Sequence, residues 1–125
     1  MFKKVLFGLL ILGIYNVNSM ENTLTNEQYE FIYNKLSETI IEINNNKSYY
    51  NDIMKTKLYA DQEFCKIFNI CMSNNKLLKP LLNKIDSNEC YKNNMYSLLI
   101  YYCDHISNNF NEHISDYLFN NSPFK

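Results

Sequence analysis

Residues 25–46 read TNEQYEFIYNKLSETIIEINNN, and this stretch decides the fold class. Thr25 with Gln28 three positions on makes a capping box, in which each side chain satisfies a backbone N–H at a helix start. Tyr29, Ile32, Tyr33, Leu36, Ile40 and Ile43 follow at steps of three and four. That spacing lines one face of an α-helix with apolar side chains. Asn44-Asn45-Asn46 closes the run.

The same period continues outward from this helix. A second start is expected at Ser48. Ile53, Ala60, Phe64, Ile67 and Cys71 share one stripe, and Met54, Leu58, Cys65, Phe68 and Met72 share its neighbour. Asp61 is a helix-starting residue type, so a break is expected near Tyr59. Ser73-Asn74-Asn75 reads as a turn. A short segment, 77–85, contains Pro80, which belongs at the first position of a helix or at a kink. Asp86 and Glu89 form a further capping-box pattern. Met95, Leu98, Leu99, Tyr102, Ile106, Phe110, Ile114 and Tyr117 then keep helical spacing, with Ser107-Asn108-Asn109 as the weak point. Ser122 to Lys125 is expected to be a loose tail. The only two glycines, Gly8 and Gly13, lie near the N-terminus, which disfavours an all-β domain built on tight primed turns. The expectation is an all-α bundle of about four helices.

The N-terminus carries a second message. Lys3 and Lys4 precede an uncharged apolar run, Val5 to Tyr15, and Val17-Asn18-Ser19 supplies modest side chains around a cleavage point. This is the three-part pattern of a secretory signal peptide, residues 1–19, cut after Ser19. The apolar run is shorter than the roughly 20 residues a bilayer span needs. The expected mature chain, residues 20–125, is one secreted domain. It keeps thirteen acidic residues against ten lysines, with no Arg and no Trp. That mild acidity lacks the electrostatic footprint of a nucleic-acid binder, and no polybasic segment addresses anionic lipid. The wealth of Asn, Lys, Ile and Tyr is what A+T-rich codons encode.

Export makes four cysteines candidates for disulfides. Cys65, Cys71, Cys90 and Cys103 show no metal-ligand spacing. On one helix Cys65 and Cys71 stand about 9 Å apart, and Cys90 and Cys103 about 20 Å. A disulfide needs Cα atoms within roughly 7 Å. Both bonds must therefore cross between segments. If the Pro80 segment runs back down the second helix, Cys90 returns to the level of Cys65. The expected pairs are Cys65–Cys90 and Cys71–Cys103, with the nested pairing, Cys65–Cys103 and Cys71–Cys90, as the alternative. Two bridges would staple the C-terminal half.

Catalytic groupings are scarce. His105 and His113, eight residues apart, are about 12 Å apart on one helix. Asp104 beside His105 and Asp116 near His113 offer orienting acids, but no motif places a nucleophile. Outward histidines on an amphipathic helix account for both. A chain whose glycines lie in the leader has no Gly-rich phosphate loop, and no metal-protease, EF-hand or hydrolase motif occurs. The reading is a non-enzyme with no cofactor. Asn46-Lys47-Ser48 and Asn120-Asn121-Ser122 match the N-glycosylation pattern at Asn46 and Asn120, the second followed by Pro123. Tyr49-Tyr50 and Tyr101-Tyr102 are adjacent pairs, so one ring of each faces outward, and exposed Tyr suits protein interfaces.

The expected function is extracellular protein–protein interaction by a small disulfide-stabilised helical module, with an unidentified extracellular protein as partner. The alternative is a helical carrier of a lipid or other small apolar ligand, with Met54, Met72 and Met95 as adaptable lining. In outline the chain loosely resembles short-chain helical cytokines and small helical carriers, on architecture rather than on shared motif residues. Neither nucleic acid nor, after cleavage, membrane is an expected partner.

Overall fold

The computed structural model describes residues 23–46, 55–106 and 112–125. The leader, the expected start at Ser48 and the break at Ser107-Asn108-Asn109 lie outside them. The described residues form five α-helices and one 3₁₀ turn: α1 Asn26–Asn46, the turn Lys57–Ala60, α2 Gln62–Cys71, α3 Asn75–Asp86, α4 Lys92–His105 and α5 Glu112–Asn121. No strand occurs among the described residues. The all-α class is therefore observed. The helix count is five rather than four, because the last apolar run divides into α4 and α5.

The helix starts follow local chemistry. Thr25 and Gln28 form the reciprocal box: the Thr25 N–H donates to Gln28 Oε1 at 2.9 Å, and the Gln28 N–H to Thr25 Oγ1 at 3.1 Å. Asp61 caps α2 by accepting the Phe64 N–H at 3.0 Å, and Asn74 caps α3 by accepting the Leu77 N–H at 2.9 Å. Each such cap contributes about 1 kcal/mol. The break near Tyr59 is real, and the 3₁₀ turn fills it. Ala60, expected in the core, is exposed there.

Two local expectations are corrected, and one choice is narrowed. Pro80, expected at a first position or at a kink, lies inside α3. Its missing N–H leaves only the carbonyl of Lys76, an exposed residue, without a helical partner. Asp86 and Glu89 form no capping box; α4 starts after Tyr91 without a side-chain cap. Asp86 instead ends α3, where Oδ1 accepts the Tyr96 hydroxyl at 2.9 Å. The tail is not loose at its start. Ser122 is 7 % exposed and ties the chain back.

Helix α1 lies at the centre, against α2, α3 and α4, and α5 packs on α3 and α4. Its expected stripe is the buried one: Ile32 and Leu36 are fully enclosed, with Tyr29 and Ile40 beside them. Phe64 and Phe68 of α2 stack with centroids 5.3 Å apart, and both meet Tyr102 of α4 edge-on at 6.1 and 6.2 Å. Side chains of this size contribute about 1.5–3 kcal/mol each on burial. Buried hydroxyls are satisfied: Tyr102 donates to the Lys55 carbonyl at 2.8 Å, and Thr39 to the Lys35 carbonyl at 2.9 Å.

The disulfide expectation fails. All four cysteines are free, so neither Cys65–Cys90 with Cys71–Cys103 nor the nested pairing is formed. The pairing needed α3 to lead Cys90 back beside Cys65. Instead α3 runs unbroken through Pro80 and packs on α1, and Cys90 emerges past its end, exposed. Cys71 is fully buried with its thiol 3.7 Å from the Leu77 carbonyl, and Cys65 is half-buried with its thiol 3.3 Å from the Leu58 carbonyl. Cys103 is buried on α4.

Candidate functional site

At the C-terminal end of the molecule two large apolar side chains leave the core, as Ile41 of α1 and Tyr59 of the 3₁₀ turn do elsewhere. Ile114 and Leu118, one turn apart on α5, point inward and are buried. Past Leu118 the helix closes on a small hydrogen-bonded knuckle. The Ser122 hydroxyl donates to the Phe119 carbonyl at 2.6 Å, and the Ser122 N–H to the same oxygen at 3.0 Å. The Phe124 N–H donates back to Ser122 Oγ at 3.2 Å. This bonding fixes the chain on either side of two rings that stay in solvent: Phe119 is 47 % exposed and Phe124 44 %. Asn120, Asn121 and Lys125 surround them, all exposed. The knuckle can offer two exposed aromatic rings beside polar residues.

The tyrosines divide differently from expectation. Most phenols serve the fold. Tyr29 donates to the Leu77 carbonyl at 2.5 Å, and burial pushes its pKa up to about 12. Tyr33 accepts from Asn88 Nδ2 at 2.9 Å and lies beneath Lys84. Tyr96 and Tyr102 have raised pKa values through burial above all. Of the Tyr101-Tyr102 pair, Tyr102 is enclosed, and Tyr101, expected to face outward, is half-buried and packs against the core. Tyr49-Tyr50 lies outside the described residues.

A second place gathers chemistry-bearing groups. Tyr59, Cys65, Asn69, His105 and Ile106 line a depression of about 230 Å³. The thiol there is held in its protonated state: burial raises the Cys65 pKa, and the Asp61 carboxylate adds to the rise. A nucleophilic thiol needs the opposite shift. The His105 ring stacks on Tyr101 at 4.2 Å, with Nδ1 2.7 Å from the Tyr101 carbonyl. His113 lies on α5 rather than sharing a helix with His105, so the expected spacing along one axis does not apply. Among the described residues no group of three or more His, Cys, Asp or Glu could hold a metal ion.

Two further depressions bear on the carrier alternative. One of about 200 Å³ is lined by Ile40, Ile43, Lys55, Asn94, Ser97 and Leu98. The other, about 520 Å³, is shallow, and its walls mix Tyr29 and Pro80 with Asn26, Glu30, Asn83, Lys84 and Ser87. Ligand pockets for drug-sized apolar molecules are mostly apolar clefts of about 300–1,000 Å³. The first is smaller than that range, and the second is an open depression of mixed lining. Met72 and Met95, expected as adaptable lining, are buried in the common core.

The expected modification sites fall unequally. Asn46 is the last residue of α1, and the remainder of its pattern lies outside the described residues. Asn120 is exposed but helical, and the Ser122 hydroxyl completing its pattern is occupied in the knuckle. Among the described residues no helix is long and apolar enough to cross a membrane. The knuckle escaped sequence reading because the apolar stripe was followed only to Tyr117 and Ser122 to Lys125 reads as a loose tail. Compared with protein-family models, with curated proteins and with solved structures, the chain matches none.

Proposed function

We propose that this chain is a secreted helical module that works by binding another protein, and that the C-terminal knuckle is its contact. The carrying observation is the exposure of two aromatic rings, Phe119 and Phe124, on one hydrogen-bonded turn; Ile41 and Tyr59, also exposed among the described residues, belong to α1 and the 3₁₀ turn. Aromatic rings in such a position supply contact area at low entropy cost, and aromatic residues are enriched at interfaces. The leader pattern at residues 1–19 supports an extracellular setting. The fitting partner presents an apolar pocket for one or two rings, rimmed by hydrogen-bonding groups that meet Asn120 and Asn121. No catalytic step belongs to this reading. The carrier alternative would need an enclosed apolar cleft, and the two further depressions are respectively small and shallow.

The test uses immobilised wild-type chain beside the Phe119→Ser/Phe124→Ser variant, each exposed to fluid from the producing organism's extracellular environment. The expected result is a protein retained by the wild type and lost by the variant. Equal retention by both overturns the assignment of the knuckle.

A further inference from the structure

The five helices are not equally held. Helices α1 to α4 each bury four to six apolar side chains, whereas α5 buries two, Ile114 and Leu118. Ion pairs brace the larger body: Lys84 meets Glu30 at 2.7 Å, joining α3 to α1, and Lys35 meets Asp61 at 3.4 Å, joining α1 to the start of α2. The bonds made by Asn121, Ser122 and Phe124 stay within α5 and its knuckle. Among the described residues α5 packs mainly along α3 and α4, with Tyr117 partly buried against the core, whereas α1 packs mainly on α2, α3 and α4. Elements with few buried contacts open at lower free energy than the core they rest on.

We propose that α5 is a separable arm: it lifts from α3 and α4 while the other four helices stay folded, and the strip it uncovers accepts the α5 of a second copy of this chain. The occupant follows from fit. The strip is complementary to a helix bearing two branched aliphatic side chains four residues apart, and Ile114 and Leu118 supply that pair. An exchanged arm makes the same buried contacts as a resident one, so exchange needs no new interface. Lifting also carries Phe119 and Phe124 away from the bundle. The inference concerns α5 docking alone. It stands or falls separately from what the knuckle binds.

The test is hydrogen exchange on the full chain, followed by titration with a labelled peptide of residues 112–125. Amides of Ile114 to Leu118 are expected to exchange on the order of 100-fold faster than those of Leu98 to Tyr102, with little denaturant dependence, as befits local opening. The peptide is expected to bind saturably, and about tenfold more tightly to a chain carrying Ile114→Ala/Leu118→Ala, whose own arm vacates the strip more often. Exchange of α5 in step with α4 overturns the proposal, and so does absence of saturable peptide binding to the wild-type chain. The exchange measurement uses wild type only, so it decides even where the double variant folds poorly.

Discussion

Helices α4 and α5 are neighbours, and they treat their aromatic rings in opposite ways. On α4, Tyr96 and Tyr102 are fully enclosed; on α5 and its knuckle, Phe119 and Phe124 are nearly half exposed. Hydrophobicity alone orders these residues the other way, because Phe is more often buried than Tyr. The reversal has a local cause on α4. Tyr96 donates to Asp86 and Tyr102 to the Lys55 carbonyl, so burying each hydroxyl leaves no unsatisfied polar atom. On α5 the inward face is already filled by Ile114 and Leu118, and Phe119 lies beyond it. Ring burial here is decided by what the neighbouring helices can satisfy and by which face is taken. The rings of α4 hold the bundle together. Those of the knuckle contribute little to it, which is what makes them available to something else.

The contrast can be broken at either end. The largest expected effect is Leu99→Ala on α4, a fully buried position, which should cost about 2–5 kcal/mol in denaturant unfolding. A cost under about 1 kcal/mol would mean that α4 is not the packed element described. Next comes Tyr102→Phe, which keeps the ring and removes the bond to the Lys55 carbonyl. It should cost about 1 kcal/mol. No change would show that this hydroxyl is not what admits a tyrosine to the core.

A smaller effect tests the rigid side by acid. The Phe64 N–H bond above all, with help from Lys35, holds the Asp61 carboxyl below the usual carboxylate range. A carboxyl lowered in the folded state stabilises above the unfolded value and loses that contribution as pH falls through the folded one. The wild type should therefore lead Asp61→Asn at pH 7, and the lead should shrink below about pH 4. A lead that grows on acidification would contradict the cap geometry. The smallest effect belongs to Phe119→Ser/Phe124→Ser, whose cost should stay within about 0.5 kcal/mol, as at ordinary surface positions.

Much of the rigid region was legible from residue order. The stripe on α1, the Thr25–Gln28 box, the break at Asp61 and the turn before Asn75 all depend on contacts within four residues, where spacing and side-chain chemistry suffice. Pro80 left two placements open, because its cost inside a helix depends on whether water reaches the Lys76 carbonyl, and that is set by the side of α3 that faces out. The Asp86–Glu89 box was misread because Tyr96, ten residues on, claims the Asp86 carboxylate. The cysteine pairing failed for the same reason at longer range. It depended on where the segment after α3 leaves Cys90, and that residue is exposed and unpaired beyond the helix end. The knuckle depends on Ser122, whose polar side chain suggested a loose end and whose hydroxyl bonds on both sides of the turn.

A contact role for the two C-terminal rings requires that the fold does not depend on them. Thermal unfolding of Phe119→Ser/Phe124→Ser beside the wild type tests this most directly. Coincident melting curves are the expected result. A drop in midpoint matching that of Leu99→Ala would make the rings part of the core and contradict the claim.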